Sequence, residues 1–366
     1  MVPNVGWWSR LRQRVQHLLQ SSSLKVSQGL HTYPIALEGG QRRLHLRVAG
    51  DGSGSLFVDV TDVIHLNATA VQMIKSALDD VPIDQARSQF LSYYRGMDSA
   101  ELTASLSAMY DIVDRLRQGG NGCPTCDLAP MLDFQPVFST SVEAPYKADI
   151  ALTYACNNAC PHCYNEPERF AMTSLTGDEW FQVLDRLADI GVPHIILTGG
   201  EPTLHPDLID LVRHADRRGQ IVGMNTNGRK LADSSVARAL VDAGLNHVQV
   251  TLESCDASVH NAMVGMPDSR AFEETVAGVK EAVAAGLHTI TNTTLTRQNQ
   301  HQALDIVNFI KRELGLETFA MNGIIYAGGG THTPDAIPAE EMNALLAAVR
   351  DEAKSLGMRF LWYTVT

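Results

Sequence analysis

The stretch "ADIALTYACNNACPHCY", residues 148–164, decides how the rest of the chain is read. In its first half Ile150 and Leu152 alternate with Asp149, Ala151 and Thr153, the period of a strand. Its second half sets Cys156, Cys160 and Cys163 in one tight loop, with Pro161 bending it between the second and third. Clustered thiols in a reducing compartment are metal ligands more often than disulfides. Soft thiolates also suit iron in sulfide clusters. Three thiolates can hold three irons of a four-iron, four-sulfide cube and leave the last iron open to a small molecule. A closed structural zinc would need a fourth ligand. His162 is a conceivable one, set awkwardly between two of the others.

Beyond this strand, helix and strand patterns alternate. "TGDEWFQVLDRLADIG" reads as a helix with Thr176 as N-cap and Gly191 as its stop. "HIILTGG", "QIVGMNTNG", "HVQVTLES", "HTITNTTLT" and "ETFAMNGIIY" read as strands, and the segments between them as helices. Six βα repeats with short loops predict an α/β fold, a partial (β/α)6 TIM-like barrel over residues 148–330. Reactive groups then gather at the strands' C-terminal ends. The cysteines, "TGGEP", "NTNG" and "TLES" all fall at such ends. Residues 331–366 follow as a helix around 338–355 and a terminal strand, "MRFLWYTVT", with no partner after it.

Each rim motif carries usable chemistry. Gly199 and Gly200 admit close backbone approach to a ligand because no Cβ intrudes. Glu201 and its neighbouring carbonyls can accept from an ammonium group, and Pro202 fixes the turn. Asn225, Thr226 and Asn227 supply short donors and acceptors suited to hydroxyls or a carboxylate. Alternation leaves open whether Asn225 with Asn227, or Thr226, faces inward. Glu253 and Ser254 form a further polar pair, Asn292 and Thr294 face the cavity in the same reading, and Cys255 is a lone thiol.

Upstream, residues 1–27 hold Arg10, Arg12, Arg14 and Lys25 but no acid, and Trp7, Trp8, Leu11, Val15, Leu18 and Leu19 recur at helical spacing. An amphipathic helix docked on its own protein is expected, with a basic membrane-surface helix as the alternative. Residues 28–117 form a small α+β unit. "RLHLRVAG" and "SLFVDV" are strands around the turn "DGSGS", and Asn67 caps a helix whose face carries Val71, Ile74 and Leu78. Two more helices are expected near 84–95 and 99–117. Residues 118–147 are a linker, "QGGNGCPTCDLAP" and beyond, in which Cys123 and Cys126 are half a metal site, a redox pair or free thiols.

With 366 residues, 45% hydrophobic and 19% charged, the chain suits a globular protein of two or three domains. A net charge of −12 argues against a nucleic-acid role. Without a transmembrane-length apolar run or a secretory signal core, a cytoplasmic location is expected.

"CNNACPHCY" resembles the C-x3-C-x-aromatic-C loop of the radical S-adenosylmethionine (SAM) superfamily, with His162 at the aromatic position. The resemblance runs over about 148–325, because "TGGEP" and the later motifs follow in order. Tyr164 after the last cysteine is typical of the branch that modifies peptides. The resemblance implies a [4Fe-4S] cluster on Cys156, Cys160 and Cys163, with SAM seated by Gly199, Gly200, Glu201 and Pro202. It implies His162 near adenine, and Asn225, Thr226, Asn227, Glu253 and Ser254 near the ribose, the methionine carboxylate or the substrate. Reductive cleavage of SAM to a 5′-deoxyadenosyl radical, fed by a flavodoxin or ferredoxin, would then abstract hydrogen from a substrate. "LFVDVTDVIHLNATAVQMIKSAL" is similar to the PqqD-like peptide-recognition domain, a winged-helix fold that binds the leader of a precursor peptide along a sheet edge and the neighbouring helix. Together the two resemblances imply maturation of a ribosomally made peptide. A small-molecule or cofactor-precursor substrate, and an inert peptide-binding module, are the alternatives. Peptide-modifying relatives with such a front end continue into a cysteine-rich SPASM or Twitch extension. No cysteine follows Cys255, so the extension is expected to be absent from this sequence: either the sequence stops short of it, or this member works with one cluster, or Cys123 and Cys126 pair with ligands further downstream.

Overall fold

The computed structural model describes residues 26–364, apart from 38–39, 59–61, 95–97, 119–143, 166–167 and 169–170. Residues 1–25 of the expected terminal helix, and Cys123 and Cys126, lie outside the described residues. Two compact units result. One holds Tyr146 and the described residues before it, with Leu187–Pro193; the other holds Lys147–Arg186 and His194 onward.

The first unit is an antiparallel sheet of four strands, β1 (Gly29–Leu37), β2 (Gly40–Val48), β3 (Gly54–Val58) and β4 (Asp62–Leu66), in the order β1-β2-β3-β4. Three helices follow, α1 (Ala68–Leu78), α2 (Ile83–Tyr93) and α3 (Ser99–Gln118). The sequence reading had two of these strands. β1 escaped it because Pro34 interrupts the pattern, and β4 because it runs straight into the Asn67 cap of the following helix. The "DGSGS" turn is closed by Asp51, whose Oδ1 accepts from Ser53 N at 2.9 Å and Ser53 Oγ at 2.6 Å. Asn67 caps α1 as expected, its Oδ1 accepting from Ala70 N at 2.8 Å. Val71, Ile74 and Leu78 are then carried into a core with Leu44, Leu46, Leu56, Phe90 and Leu106.

The second unit is a parallel sheet of β5 (Lys147–Thr153), β6 (His194–Gly199), β7 (Ile221–Thr226), β8 (Leu245–Thr251), β9 (His288–Thr294), β10 (Thr318–Asn322) and β11 (Arg359–Trp362). The strand order is β11-β10-β9-β8-β7-β6-β5. β5 and β11 are its two edges, so the barrel is partial. The six expected strands are present. The correction is a seventh: the terminal segment pairs in parallel with β10, Phe319 opposite Phe360 and Met321 opposite Trp362. The helix before it, Ala339–Ser355, is the crossover that parallel pairing requires. The other helices are α4 (Gly177–Asp189), α5 (Leu208–Arg217), α6 (Ser234–Asp242), α7 (Ala257–Met263), α8 (Ala271–Ala284) and α9 (Ala303–Arg312). Thr176 and Glu179 form a reciprocal cap at the start of α4: Thr176 N donates to Glu179 Oε2 at 2.8 Å, and Glu179 N to Thr176 Oγ1 at 3.4 Å.

One face of this sheet is sealed. Val222, Met224, Val248, Val250, Thr291 and Thr293 are buried on the helix side. The alternate residues, Asn225, Gln249, Thr251 and Asn292 among them, lie on the inner face and are half-buried. No helix among the described residues is long and apolar enough to cross a membrane.

Candidate active site

The cysteine loop leaves β5 at Thr153 and is held in place by the ends of the next three strands. At β6, Gly200 N donates to Thr153 O at 2.6 Å and Glu201 N to Ala155 O at 2.8 Å. Asn165 Nδ2 reaches back to Gly199 O at 2.9 Å. Beyond β7, Asn227 Nδ2 donates to Asn157 Oδ1 at 2.6 Å. Arg229 Nη1 donates to Asn157 O at 2.6 Å and Asn158 Oδ1 at 2.9 Å, while its Nε holds Glu274 at 2.6 Å. Beyond β8, Glu253 Oε1 meets His162 Nε2 at 3.1 Å. Every peptide of a tight loop must be satisfied somewhere, and here the partners are supplied by the rim.

The clasp by itself demands glycine at 199 and 200. A Cβ on Gly199, whose φ is +125°, would sit 2.2 Å from Thr153 O, and one on Gly200 would sit 2.3 Å from Ala155 O. Glycine at both positions makes room for the start of the cysteine loop. From the far side, the loop after β10 closes in the same way. A Cβ on Gly328 would fall 2.2 Å from Asn165 O, and one on Gly329 2.4 Å from Pro161 O.

Glu201 is fully buried at the centre of the clasp. Its Oε1 accepts from Thr203 N at 3.1 Å, Thr203 Oγ1 at 2.6 Å and Thr226 Oγ1 at 2.7 Å, and its Oε2 accepts from Asn227 N at 2.7 Å. Burial raises its pKa above the usual carboxylate value, against the pull of those donors. Oε2 keeps one lone pair for a ligand; Oε1 keeps none. Pro202 opens the short 3-10 turn that brings Thr203 onto the carboxylate.

The three thiols face a common electrostatic problem. Burial, then the Glu253 carboxylate and the Cys163 and Cys156 thiolates, push the Cys160 thiol far above the ordinary thiol range. Three thiolates together are unfavourable until a metal's positive charge neutralises them, so this donor set fits an iron cluster. Asn158 N donates to Cys156 Sγ at 3.4 Å, a bond that favours the ionised sulfur. Among the described residues, no three His, Cys, Asp or Glu side chains converge on a single ion. His162 Nε2 is turned to Glu253 and is not a fourth ligand through that nitrogen. Burial opposes a charge on this ring, but the hydrogen bond and charge of Glu253, with Asp335 behind, prevail and raise its pKa.

The other expected residues divide. Thr226 and Asn227 are spent on Glu201 and Asn157, whereas Asn225 makes no side-chain hydrogen bond within the described residues. The Ser254 hydroxyl, fully buried, bonds Gln302 and accepts from Asp256 N at 2.9 Å, so it serves the local turn. Burial and Asp305 raise the Cys255 thiol pKa. Sequence reading missed Asn157, Asn158, Asn165, Arg229 and the glycine run at 328–330. The run "GGG" directly after a strand was a usable signal. Nothing local marks Arg229 as a brace for a loop seventy residues earlier, a separation of 71–72 positions.

The Radical SAM superfamily profile matches residues 150–310. The AdoMet-dependent heme synthase of Methanosarcina barkeri is 33% identical over 195 residues, 52% of this chain and 53% of that protein. The PqqA peptide cyclase of Rhodopseudomonas palustris is 32% identical over 217 residues, 57% of this chain and 56% of that protein. The matched part thus spans little more than half the length of these relatives. Among solved structures, Streptococcus suis SuiB bound to precursor peptide SuiA has the same fold, with a TM-score of 0.63 at 15% identity over 90% of this chain and 73% of that chain. The cysteine loop and the clasped rim lie within the matched core, residues 150–310, which is a radical SAM superfamily core.

Proposed function

We propose that this enzyme matures a ribosomally made peptide, gripping it through the four-stranded unit. The observation that carries the reading is the three-cysteine loop, clasped by three strand ends and one ligand short of a closed site. The cofactors of the superfamily, a [4Fe-4S] cluster and SAM, supply a one-electron cleavage that gives a hydrogen-abstracting radical. Cys156, Cys160 and Cys163 are the residues that would hold the cluster. Glu201 Oε2, with the peptide groups around Gly199 and Gly200, would receive the ammonium of SAM. The His162 ring, fixed at its edge by Glu253, would offer a face to adenine. Thr226, Asn227 and Ser254 act on the frame of the site. The rim excludes water by burying its own polar groups against one another.

Peptide capture is supported by β1 and β4 being the edge strands of the sheet among the described residues, where an extended leader could add as a further strand. The fold likeness to an enzyme solved with its precursor peptide points the same way. An electron donor of flavodoxin or ferredoxin type is part of the proposal. A cofactor-precursor substrate is the second reading, favoured by the identity to the heme synthase.

Anaerobic reconstitution tests the first step: about four irons per chain and 5′-deoxyadenosine on reduction are expected. Colourless protein retaining zinc would overturn it. Stimulation of turnover by a precursor peptide, and its loss when β1 or β4 is blocked with proline, would separate peptide maturation from the second reading.

A further inference from the structure

We infer that the inner face of the barrel takes an uncharged, amide-bearing segment of the substrate and excludes anionic ones. This deepens the proposed function and rests on it. Asn225 on β7 and Gln249 on β8 are register partners on adjacent parallel strands. Both are half-buried on the inner face, and neither side chain makes a hydrogen bond within the described residues. Two neighbouring carboxamides offer donors and acceptors side by side, about 5 Å apart by strand spacing. A peptide group carries one of each and is their complement.

Charge decides against other occupants. The polar inward positions from β6 to β9 are Thr198, Asn225, Gln249, Thr251, Asn292 and Thr294, with His194, His247 and His288 at the strands' starts; none is an acid, a lysine or an arginine. Asn292 Nδ2 donates onward to Asn322 Oδ1 at 2.7 Å, so the neutral lining continues onto β10. Rim cations are already engaged: Arg229 holds Glu274 at 2.6 Å, and Arg297 lies 3.6 Å from Glu341. One layer deeper, His247 Nε2 is hydrogen-bonded to His194 Nε2 at 2.9 Å, and burial keeps its pKa at about 4, so it is neutral. A carboxylate or phosphate entering this space would lose its water and meet no counter-charge, which is costly. A cationic side chain would find the Glu253 carboxylate already spent on His162 Nε2 and Thr294 N, the latter at 2.8 Å.

The test uses the full chain, reconstituted with cluster and SAM, and blocked tripeptides acetyl-Ala-X-Ala-amide with X as Gln, Asp or Lys, beside GTP as a polyanion. Saturation-transfer NMR on the oxidised protein reads binding without turnover. The Gln peptide is expected to bind about tenfold better than the Asp and Lys peptides or GTP. Gln249→Lys should lose that preference and gain GTP, while Gln249→Leu should lose the Gln peptide and gain nothing; melting curves check that both fold. Equal binding of GTP or the Asp peptide by the unaltered protein, no binding of the Gln peptide, or an unchanged ranking in both variants would each overturn the inference. Failure to form 5′-deoxyadenosine on reduction would sink the proposed reaction instead, and the binding ranking would still judge this inference.

Discussion

Glu253 Oε1 and His162 Nε2 lie 3.1 Å apart, and this bond ties the rim of β8 to the middle of the cysteine loop. The carboxylate is 1% exposed and also takes Thr294 N at 2.8 Å, so one side chain joins β8, β9 and the loop. Glu253→Leu should strand both donors at about 1–3 kcal/mol each, and weaken SAM binding by releasing the His162 ring. Glu253→Gln, which can still accept, should be milder. In a His162→Phe background the ring needs no carboxylate, so Glu253→Gln should then have a smaller effect on SAM affinity. Titration calorimetry on the four proteins reads that coupling, and additive losses would exclude it.

Arg229 bonds the backbone at Asn157 and the side chain of Asn158 from a loop beyond β7. A lysine cannot serve those acceptors and Glu274 together, because it lacks the guanidinium fork. Arg229→Lys and Arg229→Ala should both lower iron per chain after reconstitution and speed its loss to a chelator. Lysine that retains iron as the unaltered chain does would refute the brace.

The parallel sheet was legible because most of its strands are apolar runs bounded by glycine or polar turns, and helical spacing fills the segments between them. β11 was visible as a strand, but its partner was not, since "MRFLWYTVT" carries no information about which edge it joins. In the site, the cysteines and "TGGEP" were legible as local motifs. Their division of labour was not. Glu201 reads as a ligand with both oxygens free, yet Thr203 and Thr226 fill Oε1 and Asn227 N takes one lone pair of Oε2. Gly199 and Gly200 read as ligand clearance, and nothing in the motif shows that the backbone of Thr153–Ala155 also needs that space. Contacts across strands decide these roles, and no spacing within one motif encodes them.

Gly200→Ala is the direct test of that clearance. Its Cβ would fall 2.3 Å from Ala155 O and 2.6 Å from Tyr154 O, both backbone atoms that cannot swing aside. The substitution should lower the melting temperature of the metal-free protein, before any ligand is present. If it leaves melting untouched and harms SAM binding alone, the glycine serves the ligand after all.

Two buried histidines make the second unit acid-sensitive. His260 is 0% exposed and its Nδ1 accepts from Glu253 N at 3.2 Å, a role closed to a ring protonated at that nitrogen. Burial holds its pKa at about 4, Arg229 adding to the effect and Glu253 and Glu273 opposing it. His247 is likewise held at about 4, by burial with His288 and Lys147. In the unfolded chain both titrate at an ordinary histidine value of about 6.5. Between those values the unfolded state binds protons that the folded state refuses, so stability rises with pH across that window. It is fully present above about 6.5 and is lost as pH falls toward 4. The melting temperature should therefore drop between pH 7.5 and pH 5, and the drop should shrink in His260→Asn and again in His247→Asn. Equal drops in all three proteins would show that other groups carry the acid response.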